Sequence, residues 1–137
     1  MSSELVLDEL TGRSSAGSIA VTAEGGTVTT NLQQGLAKSW CRWQGTSTAT
    51  VLDSFNHSGL VDNGPGDYTI TISSAMANIT YVHAGMAGGG STNLATIQQP
   101  QDATAPTTTV TRYQTVYGNG NLNDWSAINT SLFGDLA

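Results

Sequence analysis

Positive charge is nearly missing from this chain. Lysine and arginine number four against ten aspartates and glutamates, for a formal net charge of −6. A phosphate backbone is held by clustered basic side chains. Arg13, Lys38, Arg42 and Arg112 are scattered, so no nucleic-acid partner is expected. Charge of either sign is scarce, at 10% of residues against about 25% in an average domain. The polar surface must then come from Thr, Ser, Asn, Gln and Gly, whose hydroxyls and amides cost less to desolvate than charges. That composition suits β-structure and large contacts between proteins. Cys41 is the only cysteine, which excludes an intramolecular disulfide. It shares strand parity with Trp43, where a small buried hydrophobe is expected. No apolar run approaches the roughly 18 residues of a membrane helix, and no membrane partner is expected. Met1-Ser2-Ser3-Glu4-Leu5 has neither a basic n-region nor an apolar h-region, so the expectation is no signal peptide and synthesis in a cytoplasm. Long helical periodicity is also missing.

What the 137 residues do contain is period-two alternation broken by turn formers, at a length that suits one domain with a short appendage. In Asp67-Tyr68-Thr69-Ile70-Thr71-Ile72, the residues Tyr68, Ile70 and Ile72 share one face and the threonines the other, the signature of a half-buried strand. Asp62-Asn63-Gly64-Pro65-Gly66-Asp67 before it is a dense turn cluster. Strands are expected near Ser39–Gln44, Thr48–Phe55, Leu60–Val61, Tyr68–Ile72, Thr80–Met86, Leu94–Gln98, Thr107–Tyr117 and Ser126–Phe133. Turn signals recur about every ten residues, a spacing of sandwiches and barrels rather than of βαβ units. In Thr107–Tyr117 neither face is plainly the core, so a bulge or contacts on both sides are expected. The expected fold is all-β: an antiparallel, jelly-roll-like β-sandwich over residues 38–137, with an extended N-terminal arm over residues 1–37. Its expected core is Trp43, Phe55, Tyr68, Ile70, Ile72, Tyr81, Val110 and Phe133. In the arm, Glu4–Leu10 and Ser18–Thr22 read as short extended segments unable to bury a face alone. Thr30–Leu36 reads either as a turn or two of helix capped by Asn31, with Leu32 and Leu36 on one face, or as a loop.

Candidate chemistry is sparse. Gly88-Gly89-Gly90 lacks the Lys-Ser/Thr of a phosphate loop. His57 and His83 are far apart and a lone cysteine supplies no zinc set, so each histidine is read as structural. Asp62 and Asp67 flank a turn whose geometry accounts for them without calcium. No Gly-x-Ser-x-Gly elbow positions a nucleophile, and no carboxylate pair can be named for glycoside hydrolysis. No catalytic, cofactor or metal residue is assigned, and no cofactor is expected. The aromatic and apolar positions are more informative. Trp40 lies on the strand face opposite Cys41 and Trp43, either under the N-terminal segment or in a subunit interface, where Trp is enriched. Trp125 either stacks on a sugar at a loop tip or is buried against the final strand, the favoured reading. Interface or attachment candidates are Leu5, Leu7, Ile19, Val21, Leu32, Leu36 and Trp40. Segments Gly85–Thr92 and Gln98–Pro106 read as exposed loops.

Lys38-Ser39-Trp40-Cys41-Arg42-Trp43-Gln44-Gly45, Asp53-Ser54-Phe55-Asn56 and Asp62-Asn63-Gly64-Pro65-Gly66-Asp67-Tyr68-Thr69-Ile70 together resemble a module of tail-fibre-like proteins of marine tailed bacteriophages. There a pattern close to K-A-W-x-x-F-x-G … D-S-F-N … D-N-G-x-G-D-Y-T-V is typical. The flanks Gly17–Thr22 and Thr30–Lys38 are similar to short proteins of the same group. Trp43 stands where the module usually has Phe, and Asn78-Ile79-Thr80-Tyr81 is looser than its usual ending. The resemblance implies a non-enzymatic virion protein, homotrimeric, made in the host cytoplasm and carried on the particle surface. Its expected partners are itself and the major capsid protein or tail proteins. Residues 1–37, at most about 130 Å when fully extended, are too few for a fibre shaft, which tips the expectation toward a capsid decoration (cement) protein. The alternative is a short tail-fibre or receptor-binding tip touching host surface glycans.

Overall fold

The alternating segments fold as strands. The computed structural model describes residues 4–13, 19–22, 24–89, 95–100 and 105–137. The chain divides into two compact units, Met1–Leu36 and Ala37–Ala137. The second unit is an antiparallel sandwich of two four-stranded sheets. One sheet has the order β4-β3-β10-β7, from β3 (Ala37–Gln44), β4 (Thr50–Phe55), β7 (Val82–Gly88) and β10 (Ala127–Phe133). The other has the order β5-β6-β9-β8, from β5 (His57–Gly64), β6 (Asp67–Ile72), β8 (Ala95–Gln98) and β9 (Val110–Tyr117). Each expected strand from Ser39 onward has its counterpart, displaced by a few residues at most.

The inner faces supply the core. Cys41 and Trp43 of β3 and Ile128 of β10 meet Tyr68 and Ile70 of β6, Tyr113 of β9 and Trp125 in one cluster. Ile72, Met76, Tyr81 and Leu132 form a second. Trp43 sets an edge against Tyr68, with ring centroids 5.8 Å apart, a geometry that the ring quadrupoles favour. Three residues expected in the core are not there. Phe55 is 53% exposed, because its register partner is Trp40 and partners across a ladder share a face. Phe133 and Val110 are only half-buried. Phe133 lies on that same outer face, and in β9 the inward residues are Thr111, Tyr113 and Thr115. Val116 is buried as well, with Leu122 bridged to it, so β9 is covered on both sides near its end. Gly85–Gly88, expected in a loop, belong to β7.

One residue carries the chain from the first sheet to the second. Between Phe55 of β4 and His57 of β5 stands Asn56, at φ 52°, a left-handed conformation that Asn tolerates better than most residues. Its Nδ2 donates to the carbonyls of Lys38 (2.8 Å) and Ser74 (3.2 Å), and its Oδ1 accepts from Ser74 N–H at 2.6 Å. This is the physical role of the last letter of Asp53-Ser54-Phe55-Asn56. Asn56→Ala is expected to cost about 2–4 kcal/mol, from lost hydrogen bonds and left-handed strain. Asn56→Gly, which removes only the former, should cost less. Urea midpoints of the two variants test the order.

The first unit is small. β1 (Ala20–Thr22) pairs antiparallel with β2 (Thr29–Asn31). A single turn of helix, α1 (Leu32–Gly35), follows, and Asn31 caps it by accepting from Gln33 and Gln34 N–H at 2.8 and 3.3 Å. The helical reading of this segment therefore holds, in shorter form. Leu36 is its C-cap rather than a face partner of Leu32, and is 54% exposed. Glu4–Leu10 forms no strand; it has no hydrogen-bonding edge among the described residues, and Leu5 and Val6 are each 80% exposed.

Candidate functional site

The attachment candidates fall into two groups. In the first unit, Leu5, Leu7, Val21 and Leu36 are all at least half exposed, whereas Ile19 and Leu32 are half-buried and are tied together by Leu32 N–H donating to Ile19 O at 2.9 Å. Trp40 stands in the second unit, half-buried on the outer face of the first sheet.

The register shows what surrounds Trp40. Phe55 is its partner on β4 and Ser131 its partner on β10; Ser131 in turn faces Ala84 of β7. One step along, Phe133 pairs with Ala37 and Val82, and one step the other way Asn129 pairs with Arg42 and Met86. Val82 and Met86 are 63% and 67% exposed. Phe55, Trp40, Phe133, Val82, Ala84 and Met86 thus share the outside of this sheet with Ser131 and Asn129 of the central strand, and Arg42 and Asp53 lie along one border. Large apolar residues left this exposed and gathered on one face suit an interaction surface. Sequence reasoning finds Trp40 but misses its neighbours. Phe55 and Phe133 read as core residues on hydrophobicity, and what places Phe55 outside is its cross-strand pairing with Trp40, a register that no local sequence signal carries.

The outer face of the second sheet is more polar, although Val61 and Val110 also lie on it. Thr69, Thr71, Arg112 and Gln114 share it by register. Arg112 grips Asp67 through a two-pronged ion pair, Nε to Oδ1 at 2.6 Å and Nη2 to Oδ2. Asn63 Nδ2 donates to Thr69 Oγ1 at 2.9 Å and to Asp67 Oδ1 at 3.3 Å. No sequence signal marks this pair, because its members are 45 residues apart. The Arg112 hydrogen bond holds the Asp67 carboxyl below its ordinary value, against a smaller opposing effect of burial. A carboxylate depressed in the folded state stabilises above its unfolded value of about 4 and loses that contribution as pH falls through the folded value. Thermal stability of the wild type is therefore expected to fall more steeply below about pH 4 than that of Asp67→Asn. The difference should be modest, since the Arg112 side chain is 36% exposed and is screened by solvent. Melting temperatures measured from pH 5 to pH 2 check it.

A cleft of about 280 Å³ opens beside β7 and β8, lined chiefly by His83, Ile97, Gln98, Gln99 and Tyr113. Gln99 Nε2 lies 3.0 Å from His83 Nε2, and Tyr113 Oη 2.8 Å from His83 Nδ1. An amide nitrogen only donates, so with this amide orientation Nε2 accepts and the imidazole proton sits on Nδ1, directed at Tyr113. Burial lowers the His83 pKa below its ordinary value, which keeps the ring neutral at physiological pH. Both ring nitrogens of His83 are thus engaged within the protein, and the lining of the cleft is neutral.

The remaining candidates resolve into structure. Asp62 Oδ1 accepts from Gly64 N–H at 3.0 Å, a turn contact. Trp125 is 2% exposed and packs edge-on to Tyr117, with centroids 5.2 Å apart, which removes the sugar-stacking alternative. Burial pushes the Cys41 thiol up to about 12. Among the described residues, no three His, Cys, Asp or Glu side chains gather where they could hold a metal ion. Of the two segments read as loops, 90–92 and 101–104 lie outside the described residues. Comparison with protein-family models, curated proteins and solved structures finds no match to the chain.

Proposed function

We propose that this chain is a non-enzymatic structural protein of a tailed-phage virion, a homotrimeric surface module that decorates the capsid as a cement protein. The resemblance of the Lys38–Gly45, Asp53–Asn56 and Asp62–Ile70 strings to tail-fibre-like phage modules supports the setting. The observation that carries the role is the asymmetry of the sandwich: one outer face is mainly polar and ion-paired, while the other gathers Phe55, Trp40, Phe133, Val82 and Met86. A chain with so few charges and an uncovered aromatic face is suited to life inside an assembly, against itself and the major capsid protein or tail proteins. Labelling the protein on intact particles tests the reading. Copies spread over the whole head are expected; a handful confined to the tail would replace it with the second reading.

That second reading is a receptor-binding tip. It is favoured by the neutral cleft beside β7 and β8, where the Gln98 and Gln99 amides at its rim suit sugar hydroxyls. Under it, the protein binds surface glycans of the host and Gln99→Ala weakens that binding without changing the melting temperature. No glycan binding at millimolar concentration would remove it.

A further inference from the structure

The chain holds two Asn-Gly pairs, Asn63-Gly64 and Asn119-Gly120. In such a pair no Cβ hinders the glycine nitrogen, which can attack the side-chain carbonyl carbon of the asparagine before it. The fold sets the two pairs apart. At Asn63 the carboxamide is held: Nδ2 donates to Thr69 Oγ1 at 2.9 Å and to Asp67 Oδ1 at 3.3 Å. Gly64 N–H, the attacking group, donates to Asp62 Oδ1 at 3.0 Å. Attack there breaks all of these hydrogen bonds and builds negative charge on Asn63 Oδ1 beside two carboxylates. At Asn119 the one hydrogen bond of the carboxamide among the described residues is that of Oδ1, which accepts from Asn121 N–H at 3.0 Å. This donor points where negative charge develops as the carbonyl carbon becomes tetrahedral, the arrangement of an oxyanion hole. Asn119 and Gly120 are both exposed, in the turn that follows β9. Gly120 N–H donates to Tyr117 O at 2.8 Å, and only that bond has to open before attack.

We infer that Asn119 is a site of spontaneous deamidation through a cyclic imide, and that its contacts protect Asn63 from the same reaction. The steps balance with water alone. Gly120 N–H gives its proton to hydroxide, and the nitrogen bonds to Asn119 Cγ. The Cγ–Nδ2 bond then breaks, and Nδ2 takes up a proton and leaves as ammonia. Water adds to one of the two imide carbonyls and opens the ring. Cleavage at Cγ gives aspartate at position 119; cleavage at the backbone carbonyl gives isoaspartate, whose main chain is longer by one methylene. Either product adds one carboxylate to a chain already at −6. Isoaspartate also lengthens a turn that is closed by Tyr117 N–H donating to Asn121 O at 2.9 Å and by the bridge of Val116 to Leu122. The chemistry needs no partner and is independent of the virion reading.

The test ages the full chain in mildly alkaline buffer and follows both sites by fragmentation mass spectrometry. Trypsin separates them, since cleavage after Arg42 and Arg112 leaves Asn63 in peptide 43–112 and Asn119 in peptide 113–137. Conversion at Asn119 is expected to run roughly tenfold or more faster than at Asn63, in view of the two further hydrogen bonds held there. Isoaspartate should exceed aspartate, the mark of the imide route. In urea both sites are bare Asn-Gly pairs, and their rates should converge. Thr69→Val takes the nearer acceptor from Asn63 Nδ2 and should raise conversion at Asn63 several-fold while leaving Asn119 unchanged. Asn119→Gln, whose side chain is too long for the five-membered ring, should leave peptide 113–137 unmodified. Equal rates in the folded chain, or a ratio that urea does not change, would overturn the inference. So would conversion in peptide 113–137 that falls on Asn121, Asn123 or Asn129 instead. An Asn63 rate unmoved by Thr69→Val, in a chain that melts like the wild type, would overturn the protection by contacts.

Discussion

Trp43→Ala is expected to lower the stability of the sandwich by about 3–5 kcal/mol, in the range of large-to-small changes at buried aromatics. Trp43 is 0% exposed and touches both sheets' contributions to the core, with Tyr68 at 5.8 Å and Tyr113 at 6.3 Å between ring centroids. Its removal leaves a cavity that a β-ladder on either side of Trp43 resists closing. Ile128 is the register partner on β10 and Val51 the partner on β4. Domain stabilities run to about 5–15 kcal/mol, so the variant should be unfolded or close to it at 37 °C. The indole Nε1 is buried with no hydrogen-bond partner among the described residues. Trp43→Phe therefore loses volume but no hydrogen bond and should cost only about 1–2 kcal/mol. Urea unfolding measures both, and a shift in midpoint at constant slope isolates stability from changes in the denatured state. A Trp43→Ala chain within about 1 kcal/mol of wild type would contradict the packing described above.

The strands are legible because alternation and turn chemistry are local. Tyr68, Ile70 and Ile72 alternate with threonines, and Gly64-Pro65-Gly66 supplies the reversal before them. The faces are less legible, because register is not local. The pairing of β3 with β4 shifts between Arg42 and Trp43, and a slip of one residue moves a side chain to the other face. Phe55 reads as core on hydrophobicity alone and is instead beside Trp40. In β9 the inward face carries Thr111 and Thr115 beside Tyr113, a mixed pattern in which neither face reads plainly as the core. Thr115 is tolerated inside because its Oγ1 donates to Asn123 O at 2.7 Å, a partner that only the folded loop provides. β7 is half hidden for a different reason. Gly85 and Gly88 lower strand propensity, so the composition of an edge strand passes for that of a loop. The candidate surface suffers most from these limits. It is assembled from four strands, and sequence reasoning reaches one of its residues.

Gly66→Ala is the second substitution with a large expected cost, about 2–5 kcal/mol, and its argument is steric. Gly66 sits at φ +66° in the turn between β5 and β6, where a Cβ costs about 1–2 kcal/mol in backbone strain alone. Here it would also lie 2.5 Å from both Asn123 N and Thr115 O. These are backbone atoms that cannot swing aside, and overpacking of this kind adds about 1–3 kcal/mol. The crowding exists because the turn is latched. Gly66 O accepts from Thr115 N–H at 2.8 Å, and Gly66 N–H and Tyr68 Oη both donate to Asp124 Oδ1 at 2.6 Å. The latch ties the β5–β6 hairpin to the segment after β9. A side chain at Gly66 must loosen it, and with it the seat of the buried Tyr68. Gly120→Ala supplies the comparison. Gly120 has φ +85°, and a Cβ there would meet nothing within 4 Å, so that variant reads the left-handed penalty by itself. The difference between the two midpoints in urea is the cost of the close approach. Equal losses at Gly66 and Gly120 would mean that the turn gives way freely and that Asp124 does not hold it.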